Sequence, residues 1–211
     1  TIYCFTQKSY CMNKEKAIHT ILQLHDFLKQ HEQGYSTWGK VEVLEIAICV
    51  EEGGYVFAPL PTDWQIVKTE NIVYHKSEST CYQSIFNARK KIQVVLKTQQ
   101  QFASQVKEEI PPILDDQAQL LGVSVRIANT EHNITNSLNY RFSANVIDGT
   151  SFCIGNTLED AYVAAQLLEK TSKVFVEAKV LGGAKPINKI EAWFMQQYYL
   201  LKYSKEAEKN V

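Results

Sequence analysis

Two neighbouring stretches decide how this chain folds: residues 78–89, with the sequence ESTCYQSIFNAR, and residues 93–106, with the sequence QVVLKTQQQFASQV. In the first stretch, Thr80 to Ala88 has the composition of a short helix. In the second, residues 93–97 form a short apolar run typical of a strand, and residues 98–106 have apolar side chains at helical spacing. The two stretches predict a helix, a strand and a second helix in direct succession.

The sequence before these stretches predicts one helix and an antiparallel hairpin. From Met12 to His31, apolar side chains recur three and four positions apart, as on one face of an amphipathic helix. Residues 41–50 and 55–57 are rich in residues that favour strands, and Glu51-Glu52-Gly53-Gly54 between them is typical of a hairpin turn. We therefore expect antiparallel sheet in this part of the chain.

The sequence after them adds strands and helices. Residues 123–127 and 140–147 alternate like half-buried strands, and the polar residues 129–139 between them predict a mobile loop. Residues 157–181 begin with a capping signal and predict a long helix. Residues 189–208 predict a final helix whose apolar side chains we expect to pack on the body of the protein or on a neighbouring subunit.

Length and composition predict a single domain. No repeat or low-complexity linker divides the 211 residues, so one domain is expected over residues 1–211. A hydrophobic content of 45% excludes intrinsic disorder. The fold class is predicted to be α/β, with α/β/α layers in which helices flank a central, mainly antiparallel β-sheet.

Charge and cysteine content narrow the classes of function. The formal net charge is −1, so no overall positive field attracts the chain to nucleic acid. No window approaches the roughly 18 consecutive apolar residues of a membrane-spanning helix, so a soluble protein is predicted. The five cysteines include no C-x-x-C pair, which predicts buried thiols in a reducing compartment, and hence a cytoplasmic protein, rather than a disulfide framework.

Three segments carry a resemblance to a known family. Residues 78–103 resemble its S-x-E-x-x-x-H helix, I-Y-x-A-R continuation and V-V-H-T-H-P strand end. Residues 36–42, STWGKVE, resemble its T-W-G-N-V-S phosphate-binding turn, and residues 148–161 resemble its H-G-x-x-x-x-G-x-T-L-E-E-A segment. The family is the class II aldolase/adducin family, which includes zinc-dependent sugar-phosphate aldolases and epimerases and the non-catalytic adducin head domain. The resemblance implies the same fold and a homo-oligomer, commonly a tetramer.

The resemblance implies a zinc site, but the residues at its ligand positions are poor zinc ligands. Two histidines of H-T-H and a later histidine hold the metal in the family, and the matching positions here are Lys97, Gln99 and Asp148. An ammonium repels a cation and an amide oxygen is a weak ligand for zinc. We therefore expect no metal and no cofactor. A salt bridge between Lys97 and Asp148 could fill the vacated space, or both side chains could face solvent.

The same comparison identifies a vestigial pocket. In the phosphate-binding turn, Gly39 is kept, whereas Lys40 and Glu42 replace Asn and Ser, which reduces anion binding without excluding it. Glu78, preceded by Ser77, stands where the resemblance places an acid/base carboxylate. In the alternative interpretation, the Glu78 carboxylate only stabilises the N-terminus of the following helix.

These observations favour a non-catalytic class II aldolase/adducin-like protein that has lost the zinc site and acts as a binding or scaffold module, with itself or another protein as partner. The alternative is a lyase, epimerase or dehydratase for a small sugar or sugar phosphate, with metal-free chemistry at Glu78 and Lys97. A third hypothesis is a small-molecule sensor that uses the old pocket.

Overall fold

A seven-stranded sheet forms the centre of the computed structural model, which describes residues 11–32, 38–60, 67–76 and 79–209. The strands are β1 (Val41–Cys49), β2 (Tyr55–Pro59), β3 (Val73–His75), β4 (Val94–Gln100), β5 (Arg126–Ala128), β6 (Ser143–Val146) and β7 (Thr150–Gly155). Their order is β3-β2-β1-β4-β7-β6-β5, and every neighbouring pair is antiparallel except β5 and β6. The prediction of a mainly antiparallel central sheet is confirmed.

Helices cover both faces of this sheet. They are α1 (Lys14–Leu22), α2 (Leu24–Glu32), α3 (Cys81–Ala88), α4 (Ile134–Ser137), α5 (Leu158–Val180) and α6 (Lys189–Lys209). A π-helical segment at Gln117–Leu121 and 3₁₀ turns at Thr69–Asn71, Ala103–Gln105 and Glu131–Asn133 complete the described structure. The helix predicted over residues 12–31 is divided in two at Gln23, and the helices predicted at 80–88, 157–181 and 189–208 are present.

The sheet has an apolar core on each face because side chains alternate along its strands. On one face, Leu96 of β4 packs in a cluster with side chains of α1, α2 and α5. On the other face, Val95 packs in a second cluster with side chains of α3 and α4. Lys97 follows Val95 by two positions on the same strand and therefore lies on the α3 side of the sheet.

The sequence-based expectations differ from this structure in three places. The helix predicted over residues 98–106 is instead strand as far as Gln100, since Val41 of β1 pairs with Gln100 and Ser151 of β7 pairs with Thr98. Strand β7 was not predicted. The loop at 129–139 is ordered by a 3₁₀ turn and α4, whose Ile134 is fully buried.

The cysteines also differ from the prediction of free buried thiols. Cys11 and Cys49 form a disulfide, whereas Cys81 and Cys153 are free; Cys4 lies outside the described residues. The segment before α1 runs beside the end of β1, where the Met12 amide donates to the Cys49 carbonyl at 3.1 Å. This pairing brings the two cysteine Cα atoms to 5.0 Å, a separation that a disulfide spans.

Peptide mapping checks this pairing. Alkylation of the unfolded, unreduced protein is expected to modify Cys81 and Cys153 and to leave the peptides of Cys11 and Cys49 joined, because only the first two are free thiols. Reduction before alkylation is the control, and it should separate the joined peptides. Alkylated Cys11 and Cys49 in the unreduced sample would contradict the assignment.

Candidate functional site

The ammonium of Lys97 lies between two carboxylates on the α3 side of the sheet. Lys97 Nζ is 3.3 Å from Glu45 Oε1 and 2.6 Å from Glu131 Oε1. Glu45 is the direct neighbour of Lys97 in the pairing of β1 with β4, and Glu131 begins the 3₁₀ turn that leads into α4. Three separate segments thus converge on one cation, in the place where the resemblance puts the first zinc ligand.

The protonation states of this cluster are fixed by its burial and its charges. Burial by itself would lower the pKa of Lys97, but the hydrogen bonds and charges of Glu131 and Glu45 outweigh it and raise the pKa. The hydroxyl of Tyr82 on α3 donates to Glu45 Oε2, and burial together with the Glu45 charge raises the pKa of Tyr82. At neutral pH the amine is therefore charged and the phenol is protonated.

The thiol of Cys81 is held in its neutral form in the same way. Burial, reinforced by the negative charge of Glu131, raises the pKa of Cys81 to about 11. A thiol is a weak nucleophile compared with a thiolate. Lys97, Tyr82 and Cys81 are thus all in the protonation state that opposes nucleophilic attack at neutral pH.

The predicted salt bridge between Lys97 and Asp148 is wrong. Asp148 Oδ1 accepts from the Thr150 amide and from the Thr150 hydroxyl, both at 2.8 Å, and so stabilises the turn from β6 to β7. Asp148 is exposed, and the partners of Lys97 are Glu45 and Glu131. Gln99 lies two positions beyond Lys97 on the same face of β4 and is also exposed.

These side chains do not fit the zinc ion that the resemblance implies. At the three matching positions, the Lys97 ammonium is already paired with two carboxylates and the Gln99 amide is exposed. The Asp148 carboxylate is hydrogen-bonded within its own turn. Among residues 11–32, 38–60, 67–76 and 79–209, no group of three or more His, Cys, Asp or Glu side chains could hold a metal ion. As a set, these three side chains do not offer the charge or the donor atoms that a zinc site needs.

The turn that resembles the family's phosphate-binding turn is held by a residue that sequence reasoning missed. Gly39 has a φ of +125°, and a Cβ at this position would lie 2.6 Å from Glu169 Oε1. Glu169, on α5, is fully buried. Its carboxylate accepts from the Phe102 amide at 2.9 and 3.1 Å and from the Ala103 amide at 3.0 Å.

Glu169 therefore packs against Gly39 of the turn before β1 while its carboxylate binds the segment after β4. Burial raises the pKa of this carboxyl, while the backbone donors at Phe102 and Ala103 act against that rise. A signal for this role was present in the sequence, since Glu169 stands four and eight positions after Ala165 and Ala161 on the apolar face of a predicted helix. An acidic residue on a buried helix face needs hydrogen-bond donors.

The other predicted pocket residues are only partly described. Gly39 and Lys40 immediately precede β1, whose first residue pairs with Gln100 at the end of β4, and the Lys40 side chain is exposed. Ser77 and Glu78 lie outside the described residues. The structure thus brings the glycine turn next to the end of the strand that carries Lys97 and Gln99.

No family model and no curated protein matches this chain in sequence. Its structure is similar to that of an L-fuculose 1-phosphate aldolase, with a TM-score of 0.71 and 13% identity over 90% of this chain and 99% of that chain. The L-fuculose-1-phosphate aldolase from Thermus thermophilus gives a TM-score of 0.61 and 13% identity, covering 82% of this chain and 100% of that chain.

An aldolase II superfamily protein from Pseudomonas syringae gives a TM-score of 0.59 and 13% identity, covering 87% of this chain and 84% of that chain. The similarity to each of these three structures spans most of both chains and therefore includes the central sheet with its flanking helices. The chain has the class II aldolase-like fold.

Proposed function

We propose that this protein is a binding or scaffold module that uses the class II aldolase-like fold without zinc-dependent chemistry. The observation that carries the proposal is the Lys97 ammonium, held between Glu45 and Glu131 where the resemblance places a zinc ligand. A fixed positive charge repels a divalent cation and already neutralises the carboxylates that a cation would need.

The raised pKa of Lys97 also argues against the enzymatic alternative. A lyase, epimerase or dehydratase that used this lysine would need its neutral amine to attack a carbonyl, and such lysines have lowered pKa values. Here Glu131 and Glu45 keep the amine protonated. The acid/base role of Glu78 stays a prediction.

Metal analysis and an activity assay test this proposal together. Protein purified without chelator is expected to contain far less than one zinc per chain and to leave L-fuculose 1-phosphate uncleaved. The matched variant Lys97→His/Gln99→His restores two ligand types, so it should bind more zinc than the wild type. Stoichiometric zinc in the wild type, or cleavage that is lost in Lys97→Met, would contradict the proposal.

An exposed stripe on α6 supports the scaffold part of the proposal. One face of α6 packs on the protein, where Ala192 is fully buried and Gln196 donates to the Tyr140 carbonyl at 3.3 Å. The opposite face exposes five large apolar side chains at helical spacing: Ile190, Trp193, Phe194, Tyr198 and Leu201. Contiguous exposed apolar surface of this kind is typical of a protein interface. We propose that it joins copies of this chain into a homo-oligomer.

The mass in solution tests this interface. Light scattering is expected to give an oligomer for the wild type and a smaller particle for Trp193→Glu/Phe194→Glu, because two charges cannot be buried in an apolar contact. Glu191→Gln, on the same helix, is the matched control and should keep the wild-type mass. A wild-type monomer at micromolar concentration would overturn the homo-oligomer and leave a different protein as the partner.

The structure gives little support for the predicted location in the cell. In the described part of the chain, no helix is both long enough and apolar enough to cross a membrane. A cytoplasmic location and the absence of a nucleic-acid partner stay predictions. The Cys11–Cys49 disulfide weighs against the cytoplasm, since disulfides persist mainly in oxidising compartments.

A further inference from the structure

A cleft of about 230 Å³ lies between α5, the π-helical segment and α6. Its walls are mainly apolar, formed by Leu120, Val163 and Leu167 with the rings of Trp38 and Tyr199. The cleft is on the α5 side of the sheet, whereas Lys97 faces α3, so it is separate from the Lys97 cluster, although Trp38 in its wall directly precedes Gly39 of the glycine turn. Its volume is below the roughly 300–1,000 Å³ of drug-sized sites, which indicates a small ligand.

One buried amide lining this cleft lacks a protein partner. Gln166 of α5 is 9% exposed and makes no side-chain hydrogen bond with any residue in the described ranges. The amide reaches the surface of the cleft, where a ligand can take the place of water as its hydrogen-bond partner. An amide in this position can both donate to and accept from a small molecule in the cleft.

A fixed ion pair stands beside the amide. Lys170 Nζ is 2.5 Å from Asp116 Oδ2 and also lies over the Trp38 ring, 4.9 Å from its centroid. Asp116 Oδ1 accepts from the Gln117 amide at 2.9 Å, which orients the carboxylate. Both charged side chains are partly exposed at the cleft, at 26% for Lys170 and 47% for Asp116.

We propose that this cleft binds a free neutral amino acid with an apolar side chain. The ligand carboxylate pairs with Lys170 and accepts from the Gln166 amide, and its ammonium pairs with Asp116. The apolar side chain packs between Leu120 and Leu167. A zwitterion matches a site that offers one positive and one negative group side by side, whereas a simple carboxylate would be repelled by Asp116 and a simple amine by Lys170.

A thermal-shift titration tests the proposal with L-leucine and L-phenylalanine as probes. Both should raise the melting temperature as their concentration increases, because a ligand that binds only the folded state stabilises it. Relative to L-leucine, 4-methylpentanoate, isopentylamine and glycine lack the ammonium, the carboxylate and the apolar side chain, respectively. At equal concentration each of these three is expected to give a much smaller shift.

Two variants locate the site. Gln166→Met keeps the length of the side chain and removes its amide, so affinity for L-leucine should fall about tenfold or more. Without ligand, this variant should be no less stable than the wild type, since it loses only an unpaired polar group. Gln99→Met, in the vestigial pocket, is the control and should bind like the wild type.

Any of four outcomes would overturn the proposal. Three of them are the absence of a shift with either amino acid, an equal shift in Gln166→Met, and 4-methylpentanoate or isopentylamine binding as well as L-leucine. Loss of binding in Gln99→Met would also overturn it, because the ligand would then occupy the vestigial pocket. None of these outcomes depends on whether the protein binds zinc.

Discussion

Lys97→Met is expected to lower the free energy of unfolding by about 2–3 kcal/mol at neutral pH. The variant keeps the length of the side chain but leaves Glu45 and Glu131 facing each other without a cation. Removing one partner of a buried ion pair costs about 3–5 kcal/mol, and the exposure of the Glu131 side chain, at 36%, places this site at or below the lower limit. Urea denaturation of both proteins at pH 7 measures the difference.

The pH dependence of this stability difference shows whether Lys97 stabilises the fold through its charge or through its packing. Because the folded pKa of Lys97 is raised above 10.5, its stabilisation is complete below that value and is lost as the pH rises through the folded pKa. The difference between wild type and Lys97→Met should therefore shrink at strongly alkaline pH. A difference that is the same at every pH would show that Lys97 acts through packing alone.

A second lysine provides the matched control for this effect. Lys179 pairs with Glu108, and both side chains are more than half exposed. Surface ion pairs contribute about 0–1 kcal/mol, so Lys179→Met is expected to change stability by less than Lys97→Met does. Equal losses in the two variants would mean that the converging carboxylates give Lys97 no special role.

The sheet was predictable where local signals were strong. The hairpin of β1 and β2 has a Gly-Gly turn between strand-forming runs, and α5 begins at Leu158, directly after Thr157, whose side chain caps the helix. The end of β4 was not predictable, because Gln99 and Gln100 have no strand preference of their own. Pairing with β1 and β7 extends them, and this pairing is a tertiary effect.

The candidate site was also predictable only in part. The resemblance located Lys97, but its partner Glu45 lies 52 positions away and meets it only through the register of two strands. Asp148 was assigned to Lys97 although its partner, Thr150, is two positions along the chain. The Asp148-Gly149-Thr150 turn provides this local hydrogen bond. Asp148 is therefore held within its own turn and does not form the predicted long-range ion pair with Lys97.

Glu169→Ala is expected to cause the largest loss, about 3–5 kcal/mol of the free energy of unfolding. The carboxylate is fully buried, and its removal leaves the Phe102 and Ala103 amides without their acceptor and creates a cavity beneath Gly39. Each buried donor left unpaired costs about 1–3 kcal/mol, and the cavity adds to that cost. Denaturant unfolding at pH 7 measures the loss. Glu177→Ala, at an exposed position of α5, is the control and should stay within about 0.5 kcal/mol of the wild type.

A double-mutant cycle with Gly39 shows whether Glu169 acts through the turn. Gly39→Ala introduces a Cβ 2.6 Å from Glu169 Oε1 at a positive φ, so it should displace the carboxylate and also strain the backbone. In Gly39→Ala/Glu169→Ala the clash is gone, and the double variant should be more stable than the sum of the two single losses predicts. Additive losses would show that Glu169 stabilises the segment after β4 independently of the glycine turn, which would separate that turn from the strand that carries Lys97.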